Sequence, residues 1–302
     1  MAKQTFYRSA DEGDPMIGHL CVIGVGLIGG SFARALRDAG QVETVTGCGR
    51  NEEHLQRAVE LGVIDRYDCQ IEKAVAEADL IFISVPLGAM RAVFEAMRGH
   101  LKAGAIVTDA GSVKASVVRD LEQVFASVPD FFVPGHPIAG TENSGVDASF
   151  STLYQNRKVI LTPLETTNTD ALATVSRLWQ ATGAHVTQMT VVHHDAVLAA
   201  TSHLPHVLAF ALVESLTRLP ESDDVFQYAA GGFRDFTRIA SSDPVMWRDI
   251  CLANKQAIVA MIDQYALDLG TLKSAIEDED SEQLQALFLK AKQTRDAFIK
   301  QV

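Results

Sequence analysis

The sequence predicts an α/β Rossmann-type domain with a parallel sheet, followed by an all-α helical domain. Three observations carry this. HLCVIGVGLIGGSFARALRDAG (19–40) is an apolar run, a glycine turn and a helical run in succession. Short apolar runs then alternate with helical periods, the pattern of βαβ units. From about residue 190 only helical periods remain, with no repeat and no Pro/Gly/Ser-rich linker at the change.

Taken in order, residues 1–15 are polar, lack the apolar stretch of a signal peptide, and read as a disordered lead-in. Met16 stands near the start of the folded chain, and 16–189 is the first domain. After the strand, turn and helix of 19–40, VETVTGCG (42–49) is a strand and EEHLQRAVELG (52–62) a helix ending at glycine. ADLIFISVP (78–86) is nearly all apolar and ends in proline, as expected of a strand buried on both faces. MRAVFEAMRGHL (90–101) is a helix, AIVTDAGS (105–112) a strand and VVRDLEQVFASV (117–128) a helix. GHPIAGTENSG (135–145) reads as a shaped loop, neither helix nor strand. Pro137 has a fixed φ and biases His136 away from the helical region, and glycines stand at 135, 140 and 145. KVILTP (158–163) and AHVTQM (184–189) are later strands around the helix DALATVSRLWQATG (170–183). The second domain, 190–302, reads as helices over 191–219, 223–230, 244–269, 271–277 and 281–300. Its most apolar run, VLAATSHLPHVLAFALV (197–213), has two histidines, two hydroxyls and a proline near its middle. That fits a buried helix pair or a kinked helix better than a membrane span.

At 47% hydrophobic and 21% charged, 302 residues suit a soluble globular protein with a sizeable core. A net charge of −12 argues against nucleic acid or an anionic membrane surface as the main partner. It leaves room for a local arginine cluster to bind a small anion. Cys21, Cys48, Cys69 and Cys251 form no C-x-x-C pair and suggest neither a disulfide framework nor a zinc site, which points to the reducing cytoplasm.

Gly24-Val25-Gly26-Leu27-Ile28-Gly29 matches G-x-G-x-x-G where a strand ends and a helix opens. Gly24 permits the tight turn, Gly26 lets a pyrophosphate approach the backbone, and Gly29 lets the helix pack on the strand. The helix start at Leu27 and Ile28 supplies N–H donors to the phosphates. Val85 and Pro86, closing a central strand, count as further cofactor-side positions. An acid that would hold a ribose 2′-hydroxyl is missing at the end of the second strand. Gly49-Arg50-Asn51 stands there, so Arg50 favours a 2′-phosphate and NADP ahead of NAD.

Three polar constellations fall at strand ends or in the helical half: Asp109 to Lys114, His136 to Glu142, and Gly231 to Ala240 followed by Pro244 to Asp249. With GVGLIGGS, DAGSVK, GHPIAGTE, SHLPH, GGFRDFTRIA and PVMWRDI in this order, the chain from Met16 onward resembles the prephenate/arogenate (cyclohexadienyl) dehydrogenase family. The resemblance implies a Rossmann-type domain, a helical dimerisation domain and an active site in the cleft between them. It implies oxidative decarboxylation of a cyclohexadienol in tyrosine synthesis, with hydride passing to NAD or NADP, and a homodimer. His136 matches the family's catalytic histidine, and Ser112 the serine that hydrogen-bonds that histidine and the substrate hydroxyl. Arg238 matches the arginine that binds a substrate carboxylate. Glu142 and Asp235 match carboxylates that orient or gate the site. Trp247 matches an aromatic that reaches across the dimer, and His206 a residue that helps bind the side chain, with His203 the adjacent candidate. Gly231 opens the third motif and is counted with the substrate side.

Read alone, Ser112 also suits a cap for a helix beginning near 113, Arg238 a partner for Asp235 one turn earlier, and Trp247 a core position. His203 and His206 with His193, His194 and Asp195 have helical spacing for a metal, but no second ligand pair accompanies them and hydride transfer needs no metal. A β-hydroxyacid dehydrogenase or imine reductase is a competing reading of the same build and would use a lysine, for which Lys255 is available. A catalytically decayed nucleotide-binding regulatory protein is the non-enzymatic alternative. The joint presence of Ser112, His136 and Arg238 speaks against it.

Overall fold

The computed structural model describes residues 16–141, 143–220 and 222–299. The expected lead-in, 1–15, and Glu142 lie outside them. Six parallel strands form the main sheet: β1 (Ile17–Ile23), β2 (Val42–Cys48), β3 (Arg66–Asp68), β4 (Leu80–Ile83), β5 (Ile106–Asp109) and β6 (Phe132–Val133). Their order, β3-β2-β1-β4-β5-β6, reverses direction between β1 and β4. That reversal opens a crevice at the strands' carboxyl ends, where sheets of this type take ligands.

The sheet is buried on both faces, which is why β4 carries no polar residue. Phe82 packs on one face with Phe32 and Trp179, whose ring centroids lie 4.4 Å apart. Ile81 and Ile83 point the other way, toward Phe94 and Phe132. Burying one such side chain contributes roughly 1.5–3 kcal/mol. The short β3 and the single turn Ile71–Ala74 have no counterpart in the sequence reading. Both are too brief to show a period.

A second sheet, which the sequence did not announce, holds β7 (Gly135–Pro137), β8 (Lys158–Leu161) and β9 (His185–Gln188). β7 runs antiparallel to β8, with His136 opposite Ile160. The loop expected around His136 is therefore corrected: the residue itself stands on a short strand. The restriction before proline favours extended backbone, and Pro137, lacking an N–H, is tolerated because β7 is an edge strand.

The helical half begins with Val191–Leu198, passes through a π-helical turn at Ala199–His203 and continues as Leu204–Thr217. Pro205 has no N–H for the carbonyl one turn back and its ring crowds that carbonyl, which explains the wide turn. The kink turns His203 inward, where it is buried. Helices Ser222–Gln227, Gly231–Thr237, Pro244–Ala253, Lys255–Glu277 and Ser281–Ile299 follow. Gly231–Thr237 was not expected. The break expected at Gly270 is absent, since one helical glycine weakens a long helix by only about 1 kcal/mol. The break comes instead at Asn254, whose buried side chain is held by His203 and the Asp195 carbonyl.

Candidate active site

At the end of β1 the chain turns sharply into the helix Leu27–Asp38, and each glycine of the turn has a separate cause. Gly24 has φ +94°, and a Cβ there would lie 2.6 Å from the Ser84 carbonyl oxygen. A Cβ on Gly29 would lie 2.3 Å from the Gly24 carbonyl oxygen and 2.4 Å from Ser84 Oγ. Gly26 is different. Nothing lies within 4 Å of its Cβ position, and no side chain caps the helix that starts there. Open space at an uncapped helix N-terminus suits a pyrophosphate, so the residues present fit a nicotinamide dinucleotide. Leu27 is buried under the turn, and the Ile28 carbonyl accepts a hydrogen bond from Tyr154 at 2.6 Å. Val85 packs beside Gly24, and Pro86 follows it exposed. Arg50 is exposed at the end of β2 and makes no ion pair among the described residues, while Asn51 caps the next helix.

A cavity of about 430 Å³ lies between the two halves. The first contributes His136 to Thr141 and Arg157. The second contributes Leu198, Ser202, His206, Arg238, Ile239, Ser242, Met246 and Trp247. Two arginines and two histidines thus face one space whose described lining has no carboxylate, a setting for an anionic ligand. A groove of about 470 Å³ near the amino end of β5 carries no histidine or arginine and lies away from the strands' carboxyl ends.

His136 is buried, with its Nδ1 2.9 Å from His194 Nε2. His194 Nδ1 is in turn 2.7 Å from Asp195 Oδ1. Burial pushes His136 well below the ordinary histidine pKa, and His194, Lys114 and His203 press the same way. Its imidazole is therefore neutral at physiological pH. Lys114, also fully buried, donates to Asp109 Oδ2 and to the Gly135 carbonyl, both at 2.5 Å. Asp109 Oδ1 accepts from the Gly135 amide at 3.1 Å, which ties the end of β5 to the strand carrying His136.

His206 donates from Nδ1 to the Ser202 carbonyl at 2.9 Å and stacks on Trp247. Burial lowers its pKa; the Ser202 carbonyl opposes this and Arg238 adds to it. Trp247 is buried within its own chain against Val113 and Ile250, the core position also read for it. His203 is buried and does not line the cavity, and burial brings its pKa to about 4. Arg238 begins the short helix Arg238–Ser241 and makes no ion pair among the described residues, so the pairing with Asp235 is not formed.

Ser112 makes no hydrogen bond to His136 among the described residues and does not line the cavity. Nor does it cap the following helix, whose N-cap is Val113. Asp235 and Gly231 are exposed on Gly231–Thr237, outside the lining, and nothing within 4 Å of a Cβ on Gly231 requires a glycine there. Glu142 is outside the described residues. Lys255 is exposed and does not face the cavity, which removes the support for a lysine-dependent chemistry. His194 and Asp195 were read only as a metal possibility; their role in hydrogen bonding with His136 depends on contacts between residues far apart in the chain. Arg157 carries no local motif at all.

Residues 32–188 match the family model described as prephenate dehydrogenase, nucleotide-binding domain, and residues 190–290 that described as prephenate dehydrogenase, dimerization domain. The chain is 40% identical to the cyclohexadienyl dehydrogenase of Zymomonas mobilis, over 92% of this chain and 94% of that one. It is 36% identical to the prephenate dehydrogenase of Bacillus subtilis, over 92% and 75%. Among solved structures, it superposes on the prephenate dehydrogenase of Aquifex aeolicus in complex with hydroxyphenyl propionate and NAD⁺ with a TM-score of 0.87. That match has 41% identity and covers 93% of this chain and 98% of the other.

Proposed function

The chain belongs to the prephenate dehydrogenase family, and from that premise we propose how its own residues carry out the family's oxidative decarboxylation. The enzyme converts prephenate and an oxidised nicotinamide cofactor to 4-hydroxyphenylpyruvate, CO₂ and the reduced cofactor. When bound, the nicotinamide supplies the hydride acceptor for ring carbon C4. His136 takes the C4 hydroxyl proton as the C–O bond gains carbonyl character. The electron pair of the bond to the departing carboxylate enters the ring, which becomes aromatic as CO₂ leaves. His136 then returns its proton to the phenolate oxygen. Prephenate carries two carboxylates, and Arg238 and Arg157 are the two arginines in the described lining of the cavity. His206, fixed by Trp247, borders the substrate side chain.

The observation that carries this reading is the joint placement of His136, His206 and Arg238 on one cavity with no described carboxylate. Asp235, Gly231 and Glu142 keep the roles that the family resemblance gives them as proposals, and Ser112 keeps only its proposed contact with the substrate hydroxyl.

The cofactor choice leans to NADP on the strength of Arg50 at the end of β2. The chain is assigned to tyrosine synthesis in the cytoplasm, with 16–189 as the nucleotide domain and 190–302 as the helical domain. A homodimer through the helical half is supported by exposed Val192, Leu252, Leu267, Phe288 and Phe298. The helix Val191–Thr217 is long and apolar enough to cross a membrane, and only 28% of its most apolar window is buried within one chain. A second copy of the chain covers such a surface as well as lipid does, and His203, Pro205 and His206 stand in its middle. Reduction of NAD and NADP measured with prephenate and with arogenate tests the function. Turnover of prephenate with release of CO₂ is expected, and no turnover of either substrate contradicts the reading.

A further inference from the structure

We propose that His194 and Asp195 are a positioning pair that fixes the tautomer of the base, so that His136 presents its Nε2 lone pair to the cavity. The proposal rests on the reading of His136 as the proton acceptor. The hydrogen-bond directions follow from what each group can do. An ionised carboxylate only accepts, so Asp195 Oδ1 takes the Nδ1–H of His194 at 2.7 Å. A neutral imidazole has a single N–H, so Nε2 of His194 must accept, and its donor is Nδ1–H of His136 at 2.9 Å. Nε2 of His136 is then bare. It has no protein partner among the described residues, and the residue lines the cavity.

The end of this chain cannot swing. Burial raises the Asp195 pKa, but hydrogen bonds from His194 and from the Lys114 and Ala115 amides outweigh it and hold the carboxyl below its ordinary value. Those amides lie 2.8 and 2.9 Å from its two oxygens and open the helix Lys114–Phe125, whose N-cap, Val113, offers no side-chain acceptor. A helix N-terminus favours negative charge. Asp195 belongs to the helical half and these donors to the nucleotide-binding half. The same carboxylate therefore registers one half against the other and anchors the base between them. Asn254 donates to the Asp195 carbonyl at 2.8 Å and fixes the backbone as well. Lys114, with Asp109 beside it, and His203 complete the charged and titratable groups packed around the pair, and burial favours the neutral form of each. This is the arrangement by which a third group orients an imidazole base.

The test compares His194→Leu, which breaks the chain, with His194→Gln, whose amide carries an acceptor for His136 and a donor for Asp195. Each is made in the wild type and in His136→Asn. His194→Leu is expected to lower kcat roughly a hundredfold, with KM and cofactor Kd within about threefold. His194→Gln is expected to recover at least about tenfold of that loss, and in His136→Asn the Leu change should add no more than about twofold. A Leu variant that binds cofactor and keeps wild-type kcat, or the same loss in both backgrounds, overturns the proposal. Should the Leu variant not fold, ¹⁵N NMR of the wild-type histidines decides. His136 protonated on Nδ1 and bare on Nε2 near pH 7.5 is expected, and the opposite tautomer refutes it. Wild-type activity in His136→Asn alone would remove the reading of the base while leaving the tautomer result to stand or fall by itself.

Discussion

The imidazole of His206 lies flat against the indole of Trp247, with ring centroids 3.8 Å apart and planes 20° from parallel. The stack sits on the cavity wall beside Arg238 and holds a histidine whose Nδ1 is already committed to the Ser202 carbonyl. Trp247→Phe keeps a flat apolar face and should raise the KM for prephenate a few-fold with kcat nearly unchanged. Trp247→Ala empties a buried site and should destabilise the fold by about 3–5 kcal/mol. Steady-state kinetics and urea unfolding measure the two effects. An Ala variant as stable as wild type would mean that the indole is not packed as described.

Gly26 and Gly29 should separate under the same substitution. A Cβ on Gly29 meets the backbone of Gly24 and the side chain of Ser84, so Gly29→Ala is expected to destabilise by about 1–3 kcal/mol. Gly26→Ala meets no protein atom and should change stability by no more than about 1 kcal/mol, the scale of an N-cap change. It places a methyl group where the pyrophosphate approaches, so cofactor affinity should fall at least about tenfold, a change of 1.4 kcal/mol. Equal effects of the two substitutions on cofactor Kd with no difference in stability would contradict these assignments.

The end of β2 sets the cofactor preference. Arg50→Ala is expected to weaken NADP more than NAD. Gly49→Asp should move preference toward NAD, since a Cβ at 49 makes only ordinary contact with Leu55 at 3.6 Å. Titrations of both cofactors against both variants check this. A wild type that uses NAD alone, with Arg50→Ala altering neither affinity, would show that the arginine has no phosphate role.

Acid should destabilise the fold through its buried histidines, beginning above the ordinary carboxylate range. Burial holds His136 and His194 below the ordinary histidine value and takes His203 to about 4. Between that range and an unfolded pKa of about 6.5 the unfolded chain binds more protons, so stability falls with pH by up to roughly 1.4 kcal/mol per unit for each histidine. Asp195, held low, stabilises above the ordinary carboxylate range and loses that contribution only below it. A urea midpoint that declines steadily from pH 6.5 to 4.5 is expected. A flat one would mean that these histidines titrate normally in the folded protein.

What the sequence made legible was what local chemistry dictates. Gly24 is demanded by its own positive φ and Gly29 by the Gly24 carbonyl five residues back, and the apolar run at β4 by burial on two faces, so these could be read in line. Pro137 misled because its geometry suits an edge strand as well as a loop, and only β8, more than twenty residues on, distinguishes them. His194 gave no local sign of its partner 58 residues away, nor Asp195 of the helix start it caps 81 residues back. Trp247 suited a core position from the start, but its burial against Val113 arises only once the two halves pack.

The central claim is that His136 accepts the substrate hydroxyl proton, and the pH dependence of kcat for wild type and His136→Asn tests it most directly. Burial, with further lowering from His194, Lys114 and His203, keeps this imidazole neutral, so the wild-type profile should fall only on the acid side of the ordinary histidine range and be level above it. Asparagine can keep a hydrogen bond to the hydroxyl but cannot take its proton. The variant should lose roughly 10²–10⁴-fold in kcat with little change in KM, and with it the acid limb of the profile. A folded, cofactor-binding His136→Asn enzyme that turns over within a few-fold of wild type, with the acid limb intact, would contradict the account and leave His136 as no more than a part of its strand.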